Sequence, residues 1–371
     1  METRNNNNNG KPNLLKETIF RSGRLMIAGP CSAESPEQLM DTARVLSADG
    51  RVHFLRAGIW KPRTSPGSFQ GVGTEGLKWL SDIKNETGLP VATEVGSERH
   101  VYEALKYGVD LLWIGARTVS NPFTVQEIAD AIRGVDVPVM VKNPLSPDID
   151  LWEGAIKRFV KARISQVGAI HRGFTPNTKS VFRNQPNWAI PLMLRHRMPG
   201  LQIICDPSHI AGNRELVPLI AQRAITNNFD GLMIEVHPNP ADALSDASQQ
   251  ICAGDFPGLM DKLFGDNEQN NPDDLLEELR LEIDNLDDNL VETLANRMEL
   301  IKHITAVKKD IEMEVVQQSR WEKILERVMA EAGEKGLRST FVKKLFTNIH
   351  KESCLFQKTH ISKRRKNEKS E

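Results

Sequence analysis

LQIICDPSH, residues Leu201–His209, is the stretch that decides the fold. A nearly continuous apolar run, Leu201–Cys205, gives way at once to an aspartate, a proline, a serine and a histidine. A strand covered on both faces needs the first feature, and a site at the carboxyl end of that strand needs the second. Reading outward, the same pattern recurs at Leu25–Ala28, Phe54–Gly58, Val91–Val95, Leu111–Gly115, Val137–Lys142, Val167–His171 and Gly231–Val236. Most of these runs are separated by a charged stretch long enough for a helix. Eight such units between Arg24 and Phe264 predict the α/β class and a (β/α)8 TIM barrel. A doubly wound open sheet is the alternative, disfavoured because no glycine-rich dinucleotide loop follows the first run.

The chain is longer than that barrel. Residues 1–23, with an asparagine run Asn5–Asn9, read as a disordered or short extension, and residues 24–264 as the barrel domain. The polar stretch 265–271 (GDNEQNN) reads as a linker. Strand character then disappears. Pro272 suits a first helical position, and Leu276, Leu279, Ile283, Leu286, Leu290, Leu294, Ile301 and Ile304 form one apolar stripe. A second helix is predicted from about Gln318 to Ala332, stopped by Gly333, and a third from about Ser339 to beyond Gln357. Residues 272–361 are therefore expected to form a small all-α helical domain. Residues 362–371, with Lys363, Arg364, Arg365 and Lys366, read as a frayed, polar basic tail.

The 371 residues carry a formal net charge of −1, which offers no field for nucleic acid or an anionic membrane. No apolar run approaches a membrane span. The four cysteines, Cys31, Cys205, Cys252 and Cys354, form no CxxC pair. A cytoplasmic protein with no nucleic-acid and no membrane partner is the expectation.

Unusual residues gather at the ends of the predicted strands. Cys31, His209, Glu235 and Asp246 offer one thiolate, one imidazole and two carboxylates, a set suited to Mn²⁺, Fe²⁺, Co²⁺ or Zn²⁺ rather than Mg²⁺ or Ca²⁺. Singly, each has a duller reading as a small hydrophobe or a helix cap. Five cations, Arg56, Lys61, Arg117, Lys142 and Arg172, stand at the same ends. Burying so many needs a counter-charge, and a phosphate is the natural one.

The residues around these positions are recognisable. AGPCSAE (28–34), LRAGIWKPRTSPGSFQG (55–71), IGAR (114–117), DPSHIAGNR (206–214) and GLMIEVHPNPADALSDASQQ (231–250) closely resemble 3-deoxy-D-arabino-heptulosonate 7-phosphate (DAHP) synthases. The resemblance implies condensation of phosphoenolpyruvate with erythrose 4-phosphate, the first step of the shikimate pathway. It implies Cys31, His209, Glu235 and Asp246 as metal ligands, and Arg56, Lys61, Arg117, Lys142 and Arg172 as the phosphoenolpyruvate clamp. Arg63, Thr64 and Asp206 are implied for erythrose 4-phosphate, with Lys61 as the catalytic proton donor. KPRTS argues against the sister family that makes an eight-carbon product, which usually carries a KANRS-type motif. Two departures stand out: Asn143 where relatives often have a second basic residue, and His171 where a glutamate is common.

The helical domain has its own anomaly. Arg297 and Lys308 fall in the middle of the apolar stripe, about 16 Å apart along one helix. Ser353 and Gln357 interrupt the stripe of Leu345 and Ile349 in the same way. With Arg280 and Arg320, these residues resemble the all-helical chorismate mutases. That resemblance implies rearrangement of chorismate to prephenate, with Lys308 and Gln357 donating to the ether oxygen. Arg280, Arg297 and Arg320 are implied for carboxylates, and Ser353 for a ring substituent. Arg280 lies about 25 Å from Arg297 on one helix, so the resemblance implies a homodimer through the helical domain in which the partner contributes Arg280. Gln317 and Trp321 stand where relatives place acidic residues. The rival expectation is a non-catalytic chorismate or prephenate sensor, and the domain is expected to serve as a feedback module as well.

Overall fold

The computed structural model describes residues 23–62, 67–176, 180–265, 272–311 and 313–367. The chain divides into two compact units, Met1–Arg280 and Leu281–Glu371.

The first unit is built on β1 (Leu25–Gly29), β2 (Phe54–Arg56), β3 (Val91–Val95), β4 (Leu111–Ile114), β5 (Val139–Lys142), β6 (Val167–His171), β7 (Gln202–Cys205) and β8 (Gly231–His237). Each pairs in parallel with the next, and β1 pairs with β8, from Leu25 opposite Gly231 to Gly29 opposite Glu235. That last pairing closes the sheet into the expected barrel. A short β9 (Ile251–Cys252) pairs in parallel beside the end of β8, Ile251 opposite Val236. Pairing of β5 starts at Val139 rather than Val137, since Pro138 has no N–H to give to the ladder.

Strand alternation sorts the side chains into two layers. Met26, Ala28, Leu55 and Val91 face outward into the large core under the helices. Leu25, Ile27, Phe54, Ala92, Leu111, Trp113, Met140, Ile170, Ile204 and Met233 fill the barrel interior. Two residues beyond an interior residue the side chain points inward again. Phe54 is followed so by Arg56, Ala92 by Glu94, Met140 by Lys142, Ile170 by Arg172, Ile204 by Asp206 and Met233 by Glu235. The register that packs the barrel therefore delivers a ring of charged groups to its carboxyl end.

The closed eight-stranded parallel barrel is the fold the sequence predicts. In the second unit, helices run over Pro272–Asp310, Gln318–Glu334 and Ser339–Asn367. Gly333 stays inside the middle helix, and the stop comes at Gly336, which takes the left-handed φ of 71°. The basic stretch 363–366 continues the last helix instead of fraying. Val328, Ala332 and Val342 pack with Ile324, Leu325 and Phe346. Much of the long apolar stripe is uncovered: Ile283, Leu286, Leu290 and Ile304 are exposed, while Ile301 is buried. The side chains of Leu276 and Leu279 lie outside the described residues. No described helix is long and apolar enough to cross a membrane.

Candidate active sites

At the barrel mouth, the Cys31 sulfur and one oxygen each of Glu235 and Asp246 lie within 4.8 Å of one another. His209 joins less closely: its Nε2 is 4.0 Å from Asp246 Oδ2 and its Nδ1 is 3.7 Å from Glu235 Oε1. The His209 ring is held by Asp206, whose Oδ2 is 2.9 Å from Nδ1. Asp206 also caps the helix Pro207–Ala211 by accepting from the His209 backbone N–H at 3.1 Å. One short turn after β7 thus fixes both residues.

Burial, with Glu235 next, pushes the Cys31 thiol up to about 12, against the pull of Lys61. A thiol held protonated among carboxylates becomes a strong ligand once a divalent cation supplies positive charge. The donor set fits a transition ion. Asp246 sits at a left-handed φ of 50°, a conformation that aspartate tolerates better than most residues.

The cations crowd one pocket, lined by Lys61, Arg117, Lys142, Arg172 and Arg183 together with His209 and Asp246. Burial, with Arg183 and Arg117 nearby, pushes Arg172 down to about 10 despite Asp206. Lys142 Nζ is 2.8 Å from Asp206 Oδ2, and Arg56 Nη2 donates to Glu235 Oε1 at 3.0 Å. Arg56 is almost wholly buried, lies 5.0 Å over the Trp113 ring, and leaves Nε and Nη1 without hydrogen-bond partners among the described residues. Buried donors without partners are costly unless a ligand takes them. Arg63 and Thr64 lie outside the described residues.

Both departures have structural explanations. Asn143 ties the loops after β5 and β6, donating to Pro144 and Gly173 carbonyls and accepting from Arg172 N at 2.7 Å. His171 faces away from the mouth, among Trp152, Phe174, Trp188 and Phe229.

Sequence reasoning missed three residues. Glu94 lines the pocket and accepts from Trp113 Nε1 at 3.0 Å. Arg183 and Gln249 bond to the carboxylates of the cluster. Glu94 could have been found, since it sits two residues past the interior Ala92. Arg183 lies in a bend and Gln249 closes a single 3-10 turn, Ala247–Gln249, both too short for a periodicity to betray them.

In the helical unit, Arg297 Nη1 bonds to Ser353 Oγ. Gln357 Nε2 donates to the Ser353 carbonyl at 3.3 Å, and its Oε1 is buried without a partner among the described residues. Arg297, Ser353 and Gln357 therefore meet. Lys308 Nζ bonds to the carbonyls of Glu314 and Val315 at 3.0 and 2.8 Å, and Arg280 and Arg320 are exposed. Trp321 stacks on His350 at 4.2 Å.

Fold and mouth together define a closed α/β barrel whose carboxyl end gathers five cations beside a Cys–Glu–Asp cluster. The chain belongs to the DAHP synthetase I family, whose model matches residues 16–269, and the chorismate mutase type II model matches residues 279–358. It is 35% identical over 226 residues to phospho-2-dehydro-3-deoxyheptonate aldolase of Thermotoga maritima, across 61% of this chain and 64% of that protein. A 2-dehydro-3-deoxyphosphooctonate aldolase of Variovorax paradoxus is 29% identical, across 64% of this chain and 88% of its own length. The crystal structure of phospho-2-dehydro-3-deoxyheptonate aldolase (DAHP synthase) from Thermotoga maritima superposes with a TM-score of 0.59 at 32% identity, covering 65% of this chain and 68% of that one. A truncated form of the Thermotoga synthase gives 0.57 at 29% identity, covering 65% and 85%.

Proposed function

We propose that the barrel condenses phosphoenolpyruvate, erythrose 4-phosphate and water into DAHP and phosphate, and that the helical unit converts chorismate to prephenate. The observation that carries the first activity is the pocket that Arg117, Lys142, Arg172, Arg183 and Lys61 line together with His209 and Asp246, with Lys61 reaching Cys31 of the cluster. Matches to both family models support the pairing.

In this reading Cys31, His209, Glu235 and Asp246 hold one divalent ion, Mn²⁺, Fe²⁺, Co²⁺ or Zn²⁺. When bound, the ion supplies Lewis acidity at the aldehyde oxygen. Arg117, Lys142 and Arg172 orient the phosphate of phosphoenolpyruvate, and the Arg56 guanidinium suits its carboxylate. Lys61 protonates the developing alkoxide as the enol carbon bonds to the aldehyde carbon. Water then adds at the carbon that bore the enol phosphate, losing a proton to solvent, and the resulting tetrahedral carbon expels phosphate, whose charge Arg117, Lys142 and Arg172 hold. Arg63, Thr64 and Asp206 serve the erythrose phosphate. The mutase reaction is a unimolecular rearrangement that needs a compact conformer and a stabilised ether oxygen. Arg297, Arg320 and Ser353 hold chorismate, while Lys308 and Gln357 donate to that oxygen.

The uncovered stripe of the long helix supports a homodimer through the helical domain, with the partner supplying Arg280. The domain boundaries proposed from sequence are retained, as is a cytoplasmic setting. The mutase unit also acts as a feedback module, so prephenate or chorismate should change synthase rates.

One experiment tests the whole reading. Purified protein is assayed for phosphoenolpyruvate loss with erythrose 4-phosphate, and for chorismate loss, before and after a chelator. Chelator-sensitive synthase beside chelator-insensitive mutase is expected; loss of neither substrate overturns both assignments.

A further inference from the structure

Gln249 is fully buried, yet it bonds to the Glu235 carboxylate directly and is linked to the Asp246 carboxylate through Arg183. Its Nε2 donates to Glu235 Oε2 at 2.7 Å. Its Oε1 accepts from Arg183 Nη1 at 2.6 Å, and that same nitrogen donates to Asp246 Oδ1 at 2.9 Å. A continuous chain of contacts therefore runs from Glu235 through Gln249 and Arg183 to Asp246. Each carboxylate gives one oxygen to this chain. The other oxygen turns elsewhere: Asp246 Oδ2 accepts from the Cys31 thiol at 3.1 Å, and Glu235 Oε1 accepts from Arg56.

The chemistry of the chain admits one orientation. Turning the Gln249 amide over would set its oxygen against the Glu235 carboxylate and its NH₂ against the guanidinium, two repulsions in place of two bonds. Asp246 needs such support, because its backbone is left-handed and its segment has no regular ladder. The backbone alone would not hold its carboxylate still. Arg183 can approach because Gly212 lacks a side chain: a Cβ there would lie 2.3 Å from the Arg183 Cβ.

We infer that Arg183 and Gln249 form a positioning clamp that presents Glu235 and Asp246 to the divalent ion, with Gln249 setting the angle between the two carboxylates. The inference rests on reading the cluster as a metal site. Outer partners of metal-binding carboxylates set their orientation, and losing one typically weakens metal affinity about 10–100-fold.

The test uses the full-length protein, stripped with a chelator and then dialysed against graded Mn²⁺, with bound metal measured by elemental analysis. Gln249→Leu keeps the volume and removes both bonds. The Kd for Mn²⁺ is expected to rise about 10–100-fold, with phosphoenolpyruvate turnover recovering as Mn²⁺ is raised and chorismate turnover unchanged. Arg183→Gln, at a half-exposed site more tolerant of change, is the second variant and should weaken Mn²⁺ in the same direction. An unchanged Mn²⁺ affinity in both variants overturns the clamp. Wild-type protein that binds Mn²⁺ yet consumes no phosphoenolpyruvate overturns the synthase reading, while the dialysis still decides the clamp.

Discussion

The Nζ of Lys61 lies 3.0 Å from the Sγ of Cys31 and equally 3.0 Å from the Cys31 carbonyl oxygen. Burial works against the ammonium, but the carboxylates of Glu94, Glu235 and Asp246 help raise its pKa overall. Lys61 therefore stays charged and keeps a proton to give. Lys61→Met is expected to lower phosphoenolpyruvate turnover by about 10²–10⁴-fold. Chorismate turnover on the same polypeptide should not change, and a synthase rate within a few-fold of wild type would remove Lys61 from the proton-transfer role.

Gly115 makes room for Glu94. A Cβ at this position would meet Glu94 Oε1 at 2.1 Å. Gly115→Ala should turn the carboxylate out of the pocket and break its bond to Trp113, costing about 1 kcal/mol of stability. The larger effect should be on kcat and KM for phosphoenolpyruvate. Steady-state kinetics alongside thermal melting separates the two, and wild-type kinetics in this variant would show that the position of Glu94 is immaterial.

His171 gives the fold a pH dependence. Burial first, then Arg172, pushes its pKa down to about 3 from 6.5. Between those values the unfolded chain binds the proton that the folded chain refuses, so stability falls as pH drops below about 6.5, by up to ~1.4 kcal/mol per pH unit. His171→Phe, which suits the aromatic surroundings, should lose less stability than wild type between about pH 7 and 5. Denaturant melts at both pH values check this; parallel losses in the two proteins would refute it.

Gln357 separates binding from stability. Its buried Oε1 has no partner among the described residues, so replacing the amide need not destabilise the helices. Gln357→Leu should leave the melting temperature unchanged or raised, and lower chorismate turnover by about 10²-fold or more. A fall in melting temperature that matches the fall in rate would make Gln357 structural.

Arg280 and Arg297 test the dimer. Each of Arg280→Ala and Arg297→Ala should be inactive as a mutase. Mixed and allowed to exchange, the two should regain chorismate turnover, since a hybrid dimer contains one site with both arginines intact. Failure to regain any activity, with exchange verified by differently tagged chains, would rule out the shared site.

The barrel was legible because its strands are short, apolar and regularly spaced, and alternation then places Arg56, Lys142, Arg172, Asp206 and Glu235 without further information. The helical unit was legible from Arg297, Lys308, Ser353 and Gln357, which violate an otherwise apolar stripe. Helix ends were less so: Gly333 and Gly336 look alike in sequence, and the choice between them depends on where packing of Val328 and Ala332 ceases. Arg183 and Gln249 were invisible because their partners lie 63, 66 and 14 residues away, and no local pattern reports such contacts.

Barrel closure has a consequence for biogenesis. Cys31 follows the first strand and Asp246 the last, 215 residues later, and Gly29 pairs with Glu235 only when β8 has joined β1. A ribosome-bound chain therefore exposes no assembled ligand set until nearly the whole barrel has emerged. Where these residues hold a metal as proposed, its selection waits for the finished protein, and the shape of the site rather than the affinity of a loose thiol decides which ion is taken.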